Sequence, residues 1–175
     1  MRIIAGRLKG RRLVAPDGLD VRPTSGSLRE TLFNVLGDTL ANARVLDAFA
    51  GTGALGLEAW SRGADSIVFV EEQPRVIRVL EKNVEHCGVK DACAIIRGDF
   101  RKARVAEASF DLVLLDPPYR ITDLDAVTVR AAEFVKPGGQ LVLEHGRRHA
   151  SPEHAGRLMR YRVLVAGDRA LSFYS

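Results

Sequence analysis

The stretch Arg44-Val-Leu-Asp47-Ala-Phe-Ala-Gly51-Thr-Gly53-Ala-Leu-Gly56-Leu-Glu-Ala-Trp60 leaves this chain few folds to choose from. Val45-Leu46 reads as a short apolar strand. Leu55, Leu57, Ala59 and Trp60 read as a helix, so the glycines between form a strand-to-helix turn. Glycine allows a sharp bend and lets a ligand approach bare backbone. The helix start offers unpaired N–H groups and a positive dipole end. Gly51-x-Gly53-x-x-Gly56 has the form of a dinucleotide turn, which alone specifies little. Asp47, at the strand end, argues against a pyrophosphate: a carboxylate there repels phosphate and suits a ligand with a positive charge or an ammonium group.

The same unit recurs along the chain. Ser66-Ile-Val-Phe-Val70 is a second apolar strand and ends in Glu71-Glu72, where a doubly wound fold places an acid for ribose hydroxyls; Glu71, directly after the run, is preferred over Glu72. Pro74 opens a helix with Val76, Ile77, Leu80 and Val84 inward. Ala92–Ile96 is a third strand, leading to Gly98-Asp99-Phe100. Asp99 can accept from an adenine amine, while Phe100 can either pack on the ring or fill the core. Asp111–Leu115 is a fourth strand. A helix over 124–135, a tight turn at Lys136-Pro-Gly-Gly139 and a fifth strand at Leu141–Leu143, ending at Glu144-His145, follow. Upstream, Leu28, Leu32, Val35 and Leu36 form one helix face, with Ser27 and Glu30 in capping-box spacing. Tyr161–Val165 and Ala170–Tyr174 read as a closing strand pair. Alternating strands and helices predict a mostly parallel sheet covered on both faces.

A chain of 175 residues with 46% hydrophobic residues suits one soluble domain. No apolar run approaches the ~20 residues that cross a bilayer, and the start lacks a signal-peptide core, so the expected location is cytoplasmic. Cys87 and Cys93 lack metal-site spacing and are expected as free thiols; no metal is expected. Net charge is +4. Residues 1–12 hold Arg2, Arg7, Lys9, Arg11 and Arg12 with no acid among them. We read residues 1–22 as a basic extension, a hairpin turning near Lys9-Gly10 that either clamps a nucleic-acid backbone or covers the core, and 23–175 as the main domain. The tail from 146 is basic again.

Asp116-Pro117-Pro118-Tyr119 carries the chemistry. Two consecutive prolines can neither continue a strand nor enter a helix interior, and they fix a rigid turn at a strand's carboxyl end. Asp116 and the Pro117 carbonyl become adjacent acceptors, and Tyr119 presents a flat face. That set suits the exocyclic amine of a nucleobase, whose lone pair is delocalised into the ring. Two acceptors can turn that lone pair toward a methyl donor, and Asp116 favours the charge that develops on nitrogen. The proton can leave to Asp116 or to water. Tyr119 would stack on a base taken out of its helix or loop.

Together these residues resemble the Rossmann-like S-adenosylmethionine (SAM)-dependent methyltransferases, whose first motif is Asp-x-x-x-Gly-x-Gly. The match extends further. Asp47–Gly63, with Ile4-Ala5-Gly6, Leu8–Leu13, Arg22-Pro-Thr24 and Arg29-Glu-x-Leu-Phe-Asn34, resembles the bacterial 16S ribosomal RNA guanine-N2 methyltransferases over most of the chain, weakening after about residue 145. Many members carry a charged pair where this chain has Gly26-Ser27. The resemblance implies a seven-stranded sheet, SAM as donor with S-adenosylhomocysteine as product, and SAM contacts at Asp47, Gly51, Gly53, Glu71 and Asp99, with Phe49 and Phe100 taken with the same set. It implies Asp116, Pro117 and Tyr119 at the target base, and Arg22 and Thr24 beside it. Arg7, Lys9, Arg11, Arg12 and Arg29 join Arg22 and Thr24 as the expected RNA contacts. The expected partner is ribosomal RNA or an assembling small subunit, met by a monomer.

Three other readings stay open on sequence. A DNA amino-methyltransferase acting on adenine or cytosine shares the Asp-Pro-Pro-Tyr chemistry, although this length leaves no separate target-recognition domain. A non-catalytic SAM and RNA binder would not need Asp116–Tyr119. A dehydrogenase fits poorly with Asp47. Cytosine C5 chemistry needs a cysteine nucleophile, and neither cysteine is near the expected site.

Overall fold

The computed structural model describes residues 1–15, 26–118 and 121–175. Among the described residues four α-helices and eight strands follow one another: α1 Gly26–Leu36, β1 Arg44–Asp47, α2 Ala54–Ser61, β2 Ser66–Glu71, α3 Pro74–Cys87, β3 Cys93–Arg97, β4 Phe110–Leu115, α4 Leu124–Ala132, β5 Val135–Gly146, β6 His154–Ala155, β7 Leu158–Ala166 and β8 Arg169–Tyr174. They build an eight-stranded sheet in the order β3-β2-β1-β4-β5-β8-β7-β6. The first five strands of that order run parallel, and β8 enters antiparallel between β5 and β7. This is the Rossmann-like arrangement expected, with one strand beyond the expected seven: β6, two residues long, paired with the start of β7.

The strands are apolar along their length because both faces are covered. Val45, Leu112, Leu114, Val142 and Phe173 pack on α1 and α2. Leu46, Val113, Leu115, Leu141 and Leu143 point the other way, to Val127 and Ala131 of α4. Ile67 and Phe69 of β2 meet Leu80 and Val84 of α3. Pro74 opens α3 and Gly88, in the left-handed conformation, closes it.

Three local expectations change. Lys136–Gly139 is not a turn between elements but a bulge inside β5, where the pairing with β4 shifts from Phe110–Val135 to Leu112–Gln140. A Cβ on Gly139 would lie 2.9 Å from the Phe110 and Asp111 carbonyl oxygens, so only glycine fits that approach. Ser27 lies within α1 rather than at its cap, since the helix already includes Gly26. The N-terminal segment pairs antiparallel at Arg2 and Arg12, with the Ile3 N–H donating to the Arg11 carbonyl and the Leu13 N–H to the Met1 carbonyl, and it bends through a 3-10 turn at Gly6–Leu8 rather than at Lys9-Gly10 alone. It does not project: Ile3 and Leu13 are buried against Leu57, Phe69 and Leu80. No helix among the described residues is long and apolar enough to cross a membrane.

Candidate active site

Parallel strands place their carboxyl ends along one edge, where open α/β sheets bind ligands. At that edge lies a cavity of about 480 Å³. Its wall is drawn from the turn after β1 (Phe49, Gly51), the end of β2 (Glu71), the turn after β4 (Asp116, Pro117) and the end of β5 (Glu144). Elements far apart in sequence therefore share one space.

The glycine turn is held from several sides. Gly53 caps α2 at φ +82. Gly51 sits at φ +54, and a Cβ there would meet nothing within 4 Å, so its backbone faces open space. Gly56 answers a different need, because its Cβ would lie 2.4 Å from the Phe69 ring. The Glu71 carboxylate accepts the Gly51 N–H at 2.9 Å, and its second oxygen accepts from Glu72 and Gln73. Asn83, fully buried on α3, donates to the Thr52 carbonyl at 2.9 Å and so ties the turn to that helix.

Asp47 takes a different place from the one expected. It does not line the cavity; its Oδ2 accepts the Gly56 N–H at 2.9 Å, which caps α2 from beneath the turn. Burial pushes its pKa up to about 7, against the pull of the Gly56 N–H, and the Glu71 charge adds to the rise. Its Oδ1 is buried without a protein partner. Asp99 is also outside the wall: Arg101 binds its carboxylate through Nε and Nη2 and holds its pKa low. Its neighbours Gly98 and Phe100 line the cavity instead. Phe100 serves both readings, packed at 5.3 Å from Phe49 and 5.8 Å from Phe134 while also lining the cavity.

Asp116 and Pro117 line the same cavity as the glycine turn, and Asp116 Oδ1 lies 3.7 Å from Arg169 Nη1. Tyr119, Arg22 and Thr24 lie outside the described residues. Among the basic residues, Arg7 stacks over Trp60 at 4.0 Å and donates to the Trp60 and Ala64 carbonyls. Arg11 donates to the His86 carbonyl at 2.7 Å. Arg29 is 3% exposed, donates to the Arg2 carbonyl and lies 3.9 Å from Glu58, so the expectation that it contacts RNA does not fit its position. Lys9 and Arg12 are exposed on the same arm.

Glu144, His145 and Arg169 also line the cavity and escaped the sequence reading. Glu144 had a signal, because it follows an apolar strand as Glu71 does. Arg169 had none; only the antiparallel insertion of β8 beside β5 brings it there. Burial lowers the His145 pKa, and its Nε2 lies 2.9 Å from Ser172 Oγ. Cys87 and Cys93 are free thiols at the end of α3 and the start of β3, away from the cavity.

The donor set fits an adenosyl sulfonium ligand. Gly51 offers bare backbone, Val70, Phe100 and Ile121 offer apolar surface, and Glu71 and Glu72 offer carboxylates where β2 runs out.

A family profile described as "Conserved hypothetical protein 95" matches residues 1–175. The Bacillus subtilis protein named "Putative rRNA methyltransferase YlbH" is 34% identical over 99% of this chain and 98% of its own length. The Haemophilus influenzae "Ribosomal RNA small subunit methyltransferase D" is 35% identical over 82% of this chain and 78% of its own length. Among solved structures, "Putative methyltransferase yhhF from Escherichia coli" superposes with a TM-score of 0.85 at 32% identity, covering 99% of this chain and 96% of that one.

Proposed function

Because this chain belongs to the bacterial small-subunit ribosomal RNA methyltransferase family, we propose that the ribosomal RNA it methylates is modified at the exocyclic N2 of a guanine. The observation that carries this reading is the shared cavity, whose lining joins Gly51 and Glu71 to Asp116 and Pro117. When bound, SAM supplies an electrophilic methyl group on a sulfonium. The chain's own residues do the rest. Gly51 accepts the ligand against its backbone, Glu71 takes the ribose hydroxyls, and Phe100 and Ile121 enclose the ring. Asp116 and the Pro117 carbonyl accept the two amine hydrogens of the base and point the nitrogen lone pair into the cavity. The Asp116 charge then favours the cationic nitrogen that forms as the methyl leaves the sulfonium, which becomes a thioether, and the surplus amine proton passes to Asp116 or to water. Tyr119 stacks on the extruded base. Lys9 and Arg12 meet the RNA backbone.

The test is transfer of labelled methyl from SAM to undermethylated small subunits, deproteinised ribosomal RNA and duplex DNA, with each product digested to nucleosides. N2-methylguanosine from subunit or RNA is the expected result. A methylated adenine or cytosine in DNA would overturn the substrate and keep the cofactor site. Asp116→Ala is expected to keep SAM binding and to lose about 10²-fold or more in turnover.

A further inference from the structure

Asp116 stands between the end of β4 and two prolines, so its main chain has little freedom. The remaining freedom is rotation of the side chain, and that rotation decides whether the carboxylate faces the cavity as an acceptor. A carboxylate 28% exposed at a cavity mouth does not hold one rotamer by packing alone.

Arg169 is one group that faces it. Its Nη1 is 3.7 Å from Asp116 Oδ1 and also pairs with Glu144 Oε1. The Arg169 side chain is 13% exposed and that of Glu144 only 3%. A buried carboxylate demands a counter-charge, and a planar guanidinium paired with it is fixed in orientation. Glu144 near the end of β5 therefore pins Arg169 at the start of β8, and Arg169 reaches across to the turn after β4. All three line the cavity.

On the reading given above, we propose that Arg169 is the positioning residue for Asp116: the Glu144–Arg169 pair fixes the carboxylate in the orientation that accepts the target amine. Arg169 does not touch the reacting atoms. It acts through Asp116, and Glu144 acts through Arg169.

The test compares R169Q, R169K and the double variant E144Q/R169Q with the wild-type chain. R169Q is expected to lower kcat on RNA by about tenfold or more while the Kd for SAM stays within about twofold. R169K, which keeps the charge, is expected to recover part of that loss. The double variant replaces the buried ion pair with two amides, so it removes the strain of an unpaired Glu144 and carries the test if R169Q fails to fold. It is expected to stay as slow as R169Q. A double variant that returns to the wild-type rate would mean that Arg169 only neutralises Glu144, and would overturn the proposal. A crystal structure of the double variant gives a second readout independent of substrate: Asp116 is expected to rotate or split between conformers, and an unmoved carboxylate overturns the proposal. Failure of the wider reading looks different, since it is seen in the wild-type chain as absence of transfer to RNA.

Discussion

The Glu71 carboxylate accepts the Gly51 N–H at 2.9 Å, which makes the acid ending β2 and the first glycine after β1 one mechanical unit. The same carboxylate holds the two amides that lead into α3. An acid expected only to meet a ribose therefore also shapes the loop that receives the ligand.

Replacing Glu71 with Ala removes three backbone hydrogen-bond acceptances together and, on the proposed function, the ribose acceptor. Hydrogen bonds to a charged group contribute about 1.5–3 kcal/mol each and do not add simply. SAM affinity, measured by calorimetric titration, is expected to fall by at least about tenfold. An unchanged affinity would remove Glu71 from the site.

Glu58 is fully buried on α2, accepts the Ile4 and Ala5 N–H groups at 2.7 and 3.0 Å, and pairs with Arg62 at 2.8 Å. Arg29 lies at 3.9 Å from it with its own Nε and Nη1 unsatisfied. Glu58→Ala leaves a buried guanidinium without its counter-charge, a defect of about 3–5 kcal/mol. Thermal unfolding is expected at a clearly lower temperature, with the N-terminal arm cut first by protease. Retention of the wild-type transition would show that the arm is not anchored there.

Four of the five cations of the basic arm divide into two pairs. Arg7 and Arg11 spend their guanidinium groups on carbonyls of this chain, so their change to Gln is expected to cost stability more than RNA affinity. Lys9→Gln with Arg12→Gln is expected to weaken RNA binding and to reduce the slope of log affinity against log salt by about 1.5. Filter binding across a salt series measures both. The opposite division of effects would reverse the roles.

Asp47 gives a pH signature. Its folded pKa, about 7, lies above its unfolded value of 3.8, so the folded state binds the extra proton. Stability from this group is therefore greatest at low pH and declines as pH rises from about 4 toward 7, by about 1.4 kcal/mol per unit of displacement. Asp47→Asn keeps an acceptor for the Gly56 N–H and removes the titration. Its stability relative to wild type is expected to rise between pH 5 and 8 in denaturant unfolding. A flat difference would mean that Asp47 stays charged throughout.

The linear chain was enough to place the five parallel strands, the helices between them and the two turns that meet at the sheet edge. Period, apolar runs, glycine spacing and a double proline are local properties, and each restricts the backbone where it stands. It could also name Glu71, Asp116 and Gly51, because their places follow from the ends of predictable strands. Tertiary structure decided which charges are free. Arg29 looked like an exposed helix cation and is buried against Glu58; Arg7 looked like an RNA contact and stacks on Trp60. Asp47 and Asp99 stood at strand ends as Glu71 does, yet one turns under the loop and the other to Arg101. Arg169 reaches Asp116 only because β8 inserts beside β5. A side chain's partner is set by which elements the fold brings within a few ångströms of it, and no local pattern in the chain encodes that distance.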